Sequence, residues 1–428
     1  MHLRSSRRLR AALVGAVGLA LALTACTPAP PEFSYTPPEQ VDAKLPDDVT
    51  GQLQAAVEQA MVATGSSGAI VGVWVPWSGE WVTGLGTQAL GDDTKVTKDM
   101  SFRVADVTRM MTCDVLYGMA DDGKIKLDAP VPKYVSGVAD LSDITLLDLC
   151  NGTSGIGSSE SAVKPYWLNT PERVWAPLQL ASFGLGAQRS AAHTAYRDSD
   201  AGYLMLGMAL ERASGMSASQ LISKYVTTPL ELDSTSLPSD AAAAPAPSPA
   251  LKGAYLPSGE DGYDCTAPID ITKSSASIGF TDSGAVSTIT DLGRYVQAEA
   301  RQALREKDAT PARFGAPLPS SAKAPAWYQA TGGAFLVGSM IGQFGWTPGY
   351  ATAAYSDPAT GFTVAVTLNN STAGGSPAAY LAWELAAIAS KSPAAEGQTA
   401  PDFGLPFTAE QYGQAIADGA ICQAPAAE

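Results

Sequence analysis

FRVADVTRMMT, Phe102–Thr112, is the stretch on which the reading of this chain turns. It starts as an aromatic-led strand end and runs into a helix. Asp106 and Arg109 stand three positions apart, which puts them on one side of that helix. The helix is expected to continue from Thr108 to Gly123, with apolar positions at Met111, Val115, Leu116 and Met119.

Periodicity extends outward on both sides. Gly51–Thr64 reads as an amphipathic helix. Ala69–Val75 and Trp81–Leu85 read as strands joined through Pro76–Gly79. Ile144–Cys150 is a short helix that ends at Asn151–Gly152, and Ala201–Ser214 and Ser217–Val226 are further helices. Residues 239–250 are Ala/Pro-rich and read as a surface excursion. Ser287–Leu304 opens on a Ser-Thr-x-x-Asp capping pattern and continues as a helix. Ala334–Val337, Tyr350–Tyr355 and Phe362–Leu368 are strands, with Asp357–Gly361 as a hairpin turn, and Ala378–Ala389 is a closing helix. Strands thus lie early and late with helices between. The expected fold class is α/β of the α+β kind. An antiparallel sheet is built from both chain ends, flanked by helices, and a mainly helical subdomain is inserted at about 125–285.

The first residues stand apart. Arg4, Arg7, Arg8 and Arg10 precede the apolar run Ala11–Leu23, which is short for a membrane span. Leu23-Thr24-Ala25-Cys26 resembles a bacterial lipobox, in which Cys26 becomes the first mature residue and carries acyl chains. A plain secretory signal or an N-terminal membrane helix is the competing reading. The expected organisation is a lipoprotein signal at 1–25, a Pro-rich linker at 26–48, the main domain at 49–395 and a C-terminal tail at 396–428. The chain is then expected on the outer face of the bacterial cytoplasmic membrane, held by lipid at Cys26, with the linker keeping the body away from the bilayer. Loss of 1–25, which holds four Arg and no acid, takes the net charge from −15 to −19. Such an acidic chain is a poor partner for nucleic acid. No CxxC pair exists and His193 is the one histidine beyond the signal, so neither a metal site nor a cofactor is expected. Cys113, Cys150, Cys265 and Cys422 allow three pairings in an oxidising compartment.

With these segments in order, FRVADVTRMMTCDVLYGMADDGKIKLDAPV (102–131) resembles the serine β-lactamase and DD-peptidase superfamily. The class C β-lactamase and D-alanyl-D-alanine carboxypeptidase branch is the most similar. ITLLDLCNGTSGI (144–156), AGYLMLGMALERASG (201–215), GAVSTITDL (284–292) and GWTPG (345–349) continue the resemblance in the family's order. The resemblance implies three catalytic motifs. Where the family has Ser-x-x-Lys, this chain has Asp106-Val107-Thr108-Arg109. Where it has Tyr-x-Asn, this chain has Asp198-Ser199-Asp200. Where it has Lys/His-x-Gly, this chain has Gln343-Phe344-Gly345. An Asp has no hydroxyl to acylate, and attack by its carboxylate on an amide would give an anhydride. A guanidinium stays protonated and cannot act as base.

Two readings of Asp106, Arg109, Asp198, Asp200, Gln343 and Gly345 follow. In the bland one Asp106 caps its helix, Arg109 makes a modest ion pair, and Asp198 and Asp200 are solvated loop acids. In the sharper one they converge in a cleft that binds a cell-wall peptide or a protein partner without turnover. Calcium or magnesium on the carboxylates is a weaker variant, because the spacing fits no familiar loop. The competing function is an active serine hydrolase, whether D-Ala-D-Ala carboxypeptidase, esterase or β-lactamase, with relocated catalytic residues. Thr108, Ser154, Ser199, Tyr196 and His193 are the residues to inspect for it. The resemblance also implies Cys113–Cys150, because the family packs those two helices together, which leaves Cys265–Cys422 to tie the tail.

Overall fold

The strand Gly68–Val75 is apolar along its length and buried on nearly every residue, which marks it as an interior strand. The computed structural model describes residues 35–423 except 139–140, 239–240, 260–261, 306–308 and 310. The signal segment, Cys26 and the first part of the Pro-rich linker therefore lie outside the described residues.

In chain order the main elements are α1 (Asp47–Thr64), β1 (Gly68–Val75), β2 (Gly79–Gly86), α2 (Val107–Asp121), α3 (Leu146–Asn151), α4 (Glu160–Asn169), α5 (Pro177–Gly186), α6 (Asp200–Ser214) and α7 (Ala218–Ile222). Next come α8 (Ile289–Ala300), β3 (Leu318–Pro319), β4 (Tyr328–Thr331), β5 (Ala334–Val337), β6 (Met340–Thr347), β7 (Tyr350–Ser356), β8 (Thr363–Leu368), α9 (Ser376–Ala389) and α10 (Ala409–Asp418). The eight strands form one sheet in the order β3-β4-β5-β6-β7-β8-β1-β2. Every pairing in it is antiparallel, and β1 closes against β8 with Ala69 opposite Leu368 and Trp74 opposite Thr363. The early and late strands thus meet, as the strand distribution implies.

Each face of the sheet carries its own core. On one side α1, α9 and α10 pack through Leu53, Val57, Leu381, Leu385, Tyr412 and Ile416. On the other side α2 and α8 pack through Met110, Met111, Leu292 and Val296, and this core runs on into the helical region. The approach of α8 to the sheet is close. The Trp74 indole fills the space where a Cβ on Gly72 or Gly293 would lie, 2.2 and 2.5 Å from its ring atoms.

Local signals act where expected. Thr288 caps α8 by accepting the Asp291 N–H, and Gly152 ends α3 in the left-handed region at φ 68°. Cys113–Cys150 ties α2 to α3, and Cys265–Cys422 ties the segment after α10 to the 262–270 region. The tail is not featureless: α10 lies in it, with Phe407, Tyr412 and Ile416 buried. The linker is not free either, because residues 35–46 lie against the folded body.

Candidate functional site

The site forms where the start of α2 meets β6. Ala105, the residue before the α2 cap, holds φ 51°, a strained value for a residue with a Cβ. That bend turns Asp106 toward Gly345 on β6. The closeness is absolute: a Cβ on Gly345 would lie 2.1 Å from Asp106 Cγ.

Asp106 does not cap its helix. It stands at the cap position with φ −66° and ψ −6°, and its side chain accepts no backbone N–H there. The carboxylate turns to Arg109 instead, with Oδ2 3.1 Å from the guanidinium. Arg109 is buried, its side chain 4% exposed, and it meets two more acids. Its Nη1 donates to Asp198 Oδ1 at 2.5 Å and its Nε to Asp282 Oδ1 at 2.8 Å. The Tyr203 ring lies 5.0 Å from the guanidinium carbon. One cation thus bridges three carboxylates. Arg109, Asp106 and Asp282 form a largely buried cluster that Asp198 joins from the solvent side, which is more than the modest pair of the bland reading.

Burial sets the electrostatics. It pushes the Asp106 carboxyl well above its usual range; Arg109 opposes this, while Asp282 and Asp198 add to it. The Asp282 carboxyl is raised to about 6, again chiefly by burial. Three acids around one guanidinium carry excess negative charge, so the cluster holds a proton more readily than an isolated pair.

Asp200 and Gln343 are close by but turned elsewhere. Asp200 is buried at the first turn of α6, where its Oδ1 accepts the Ser159 N–H at 2.6 Å, so it is not a solvated loop acid. Gln343 donates to the Gly333 carbonyl at 2.9 Å and braces the β5–β6 region. Of the six residues singled out from sequence, Asp106, Arg109, Asp198 and Gly345 come together. Asp198 is the most open of the acids, with its side chain 57% exposed.

Asp282 had no signal in the sequence; it lies on the short helical turn Phe280–Ser283, far along the chain from Arg109. That turn is anchored by Thr112 Oγ1 on the Thr281 carbonyl and by Thr281 Oγ1 on the Tyr203 carbonyl. An aromatic wall was also missed. Trp346 donates to Glu160 Oε1 at 3.0 Å, lies 6.2 Å from Trp167, and has the Lys164 ammonium 4.6 Å from its ring. Burial raises the Glu160 carboxyl, and the Trp346 bond opposes the shift.

Behind the site, Arg313 holds α2 in place. Its side chain is buried. It donates to the Met110 carbonyl at 2.7 Å and the Gly332 carbonyl at 2.9 Å, and it pairs with Glu299 at 2.5 Å and with Asp114.

The residues considered for a relocated nucleophile each have local partners, and Tyr196 is buried within the electrostatic reach of Asp198 and Arg109. Thr108 Oγ1 donates to the Ala105 carbonyl, and Ser154 Oγ accepts the Ile156 N–H. Ser199 Oγ caps α6 and donates to the Gly157 carbonyl. Tyr196 packs on Phe335 at 5.6 Å. His193 does pair with a carboxylate, Nδ1 to Asp148 Oδ1 at 2.8 Å, but its Nε2 faces the Asp143 carbonyl at 3.0 Å and not a hydroxyl. Among the described residues no group of three or more His, Cys, Asp or Glu is placed to hold a metal ion.

This architecture has known counterparts. The beta-lactamase family model matches residues 53–388. The chain belongs to the beta-lactamase family. A curated member, the D-alanyl-D-alanine-carboxypeptidase/endopeptidase AmpH of Escherichia coli K12, is 30% identical over 159 residues, 35% of this chain. The match spans 40% of that relative's length. A D-stereospecific amidohydrolase from Streptomyces superposes with a TM-score of 0.65 at 23% identity, over 76% of this chain and 95% of its own. The octameric penicillin-binding protein homologue from Pyrococcus abyssi gives 0.63 at 19% identity, over 84% and 79%. At those identities the structures speak for the fold alone. The family resemblance implies that Asp106, Arg109 and Asp198 fall where the family carries its serine, lysine and tyrosine.

Proposed function

We propose that this beta-lactamase family chain is a cell-surface lipoprotein, anchored through Cys26, that binds a cell-wall peptide or a protein partner without turning it over. The arrangement of Arg109 between Asp106, Asp198 and Asp282 carries this reading. The nucleophile position offers an acid whose attack on an amide would end in an anhydride. The adjacent position offers a cation that cannot accept a proton. Asp198 is already engaged by Arg109, and the hydroxyl next to it in sequence, on Ser199, caps α6 and donates to the Gly157 carbonyl.

The surroundings support retention of a binding cleft. Gly345 leaves room for Asp106, Ala105 holds its strained bend, Trp346 packs near Trp167, and Tyr196 packs on Phe335. Aromatic faces next to excess carboxylate favour a ligand that presents an amine rather than a free carboxylate. The name of the Escherichia coli relative points to D-alanyl-D-alanine peptides. A wall peptide with a free amino group is thus the first ligand to try.

Two measurements test the proposal. Incubation with a fluorescent penicillin and a fluorophosphonate should leave no adduct that survives denaturation; a stable adduct would favour an active serine hydrolase. Titration with purified muropeptides should show saturable binding that weakens in Asp198→Ala. A flat titration with both proteins counts against a wall-peptide ligand.

A further inference from the structure

His193 is the sole histidine among the described residues, and its backbone sits in the left-handed region at φ 61°. A residue with a Cβ holds that conformation only when its surroundings fix it. Here the segment 188–198 is laid along residues 152–157. Ser190 N–H donates to the Gly155 carbonyl at 2.9 Å, His193 N–H to the Thr153 carbonyl at 2.8 Å, and Arg197 N–H to the Gly152 carbonyl at 2.8 Å. The Tyr196 ring lies against Gly152, 2.6 Å from where a Cβ would stand. The segment ends at Asp198, the acid that reaches Arg109 from the solvent side.

The imidazole has a partner at each nitrogen, and both partners are acceptors. Nδ1 lies 2.8 Å from Asp148 Oδ1 on α3, and Nε2 lies 3.0 Å from the Asp143 carbonyl oxygen. A carbonyl oxygen cannot donate. The Asp148 carboxylate is committed as an acceptor on both oxygens: Oδ1 also takes the Thr153 hydroxyl at 2.8 Å, and Oδ2 takes the Thr145 N–H at 2.9 Å and the Thr145 hydroxyl at 2.6 Å. Two acceptors call for two N–H donors, which the imidazolium has and the neutral ring lacks. A neutral ring would serve one partner and aim a lone pair at the other. The negative charge of Asp148, together with its hydrogen bond, raises the His193 pKa above the ordinary value, and the Asp143 carbonyl and carboxylate add to the shift.

The other charges on the segment face partners that do not titrate with it. Arg189 pairs with the Asp143 carboxylate, and Arg197 Nη1 donates to the Gly155 and Gln188 carbonyls, each at 2.8 Å. Those guanidinium groups keep their charge through the range in which an imidazole changes. We propose that His193 is a proton-operated clasp: with both ring nitrogens protonated it fastens the 188–198 segment, and Asp198 with it, to α3 and the Asp143 carbonyl, and on losing one proton it lets the segment lift. The sign follows from the raised folded-state value: the clasp is closed in acid and opens as pH climbs through that value. The inference goes beyond the binding reading and holds whatever the cleft takes, because it concerns the segment that presents Asp198.

The test uses the full chain with two readouts. Carbon-13 labelling of histidine Cε1 gives signals from His2 and His193 alone, and His193→Asn assigns them. The His193 signal should titrate with a midpoint above the ordinary value of about 6.5. Trypsin then reads the segment, which offers Arg189 and Arg197. Corrected for the enzyme's rate on an arginine peptide at each pH, cleavage at these sites should be at least about threefold faster at about pH 8 than at about pH 6. Asparagine suits the left-handed backbone of residue 193 and has no proton to lose, so His193→Asn should be cut at the faster rate at both pH values. A His193 midpoint at or below the ordinary value overturns the clasp in the unaltered protein. So does cleavage of the parent that is flat with pH, or a His193→Asn variant that keeps the parent's pH dependence.

Discussion

Gly345 on β6 and Asp106 at the head of α2 share one space, since the glycine's missing Cβ would come within 2.1 Å of the acid's Cγ. Both atoms belong to rigid elements, so neither can yield cheaply. Gly345→Ala should lower stability by about 1–3 kcal/mol, the usual range for overpacking a tight interior. Urea unfolding measures the loss. A variant as stable as the parent would mean that α2 and β6 can separate at little cost.

The buried guanidinium should matter most for stability. Arg109→Met removes the one cation from among Asp106, Asp198 and Asp282 and leaves uncompensated buried acid. The expected cost is about 3–5 kcal/mol, partly relieved by proton uptake at low pH. Asp198→Ala should cost about 1 kcal/mol or less, because that side chain is more than half exposed. Denaturant midpoints of the two variants at pH 7 check the order.

Stability should fall as pH rises from acid toward neutral. Folding raises the carboxyls of Asp282, to about 6, and of Glu384 on α9, to about 7, each chiefly through burial. Glu410 adds to the shift at Glu384. A group raised by folding contributes stability below its unfolded value, and that contribution is lost as pH climbs through the folded value. The windows are roughly pH 4–6 for Asp282 and pH 4.5–7 for Glu384. Thermal midpoints should drop across both. Asp282→Asn should flatten the first window, and Glu384→Gln should flatten the second, gaining about 1–2 kcal/mol at pH 8.

Restoring family chemistry should require a fourth change. Asp106→Ser, Arg109→Lys and Asp198→Tyr together replace three of the altered residues and leave Asp200 and Gln343 in place. Asp282, which now accepts from Arg109 Nε, would then pair with the new lysine and keep it protonated. Covalent labelling by a fluorescent penicillin should be weak in the triple variant. It should rise at least about tenfold when Asp282→Asn is added. Equal labelling in both would show that Asp282 does not govern the base.

The sequence conveyed most of the frame and part of the site. Long periodic runs such as 201–214 and capped starts such as Thr288 carry their structure locally, so their elements were legible. The strand Met340–Thr347 was visible only through the family resemblance. Its run GQFGWT has two glycines and little alternation, and only pairing on both edges makes it a strand. α4, α5 and α10 went unread because their burial depends on distant partners. At the site, spacing brought Asp106 and Arg109 together, and the resemblance added Asp198. Asp282 meets Arg109 only through tertiary packing, and Asp200, two residues after Asp198, points away because it starts a helix. Nothing local distinguishes those outcomes.

The partnership of β1 with β8 has a consequence for biogenesis. One edge of β1 is satisfied at once by β2, but its other edge must wait for Thr363–Leu368, nearly 290 residues later. Until then a run of Ala, Ile, Val and Trp stands unpaired on a nascent chain. Such delayed long-range closure slows folding and invites edge-to-edge aggregation. A newly made copy is therefore a natural client for holding chaperones, and truncation before β8 should yield insoluble fragments rather than a smaller folded core.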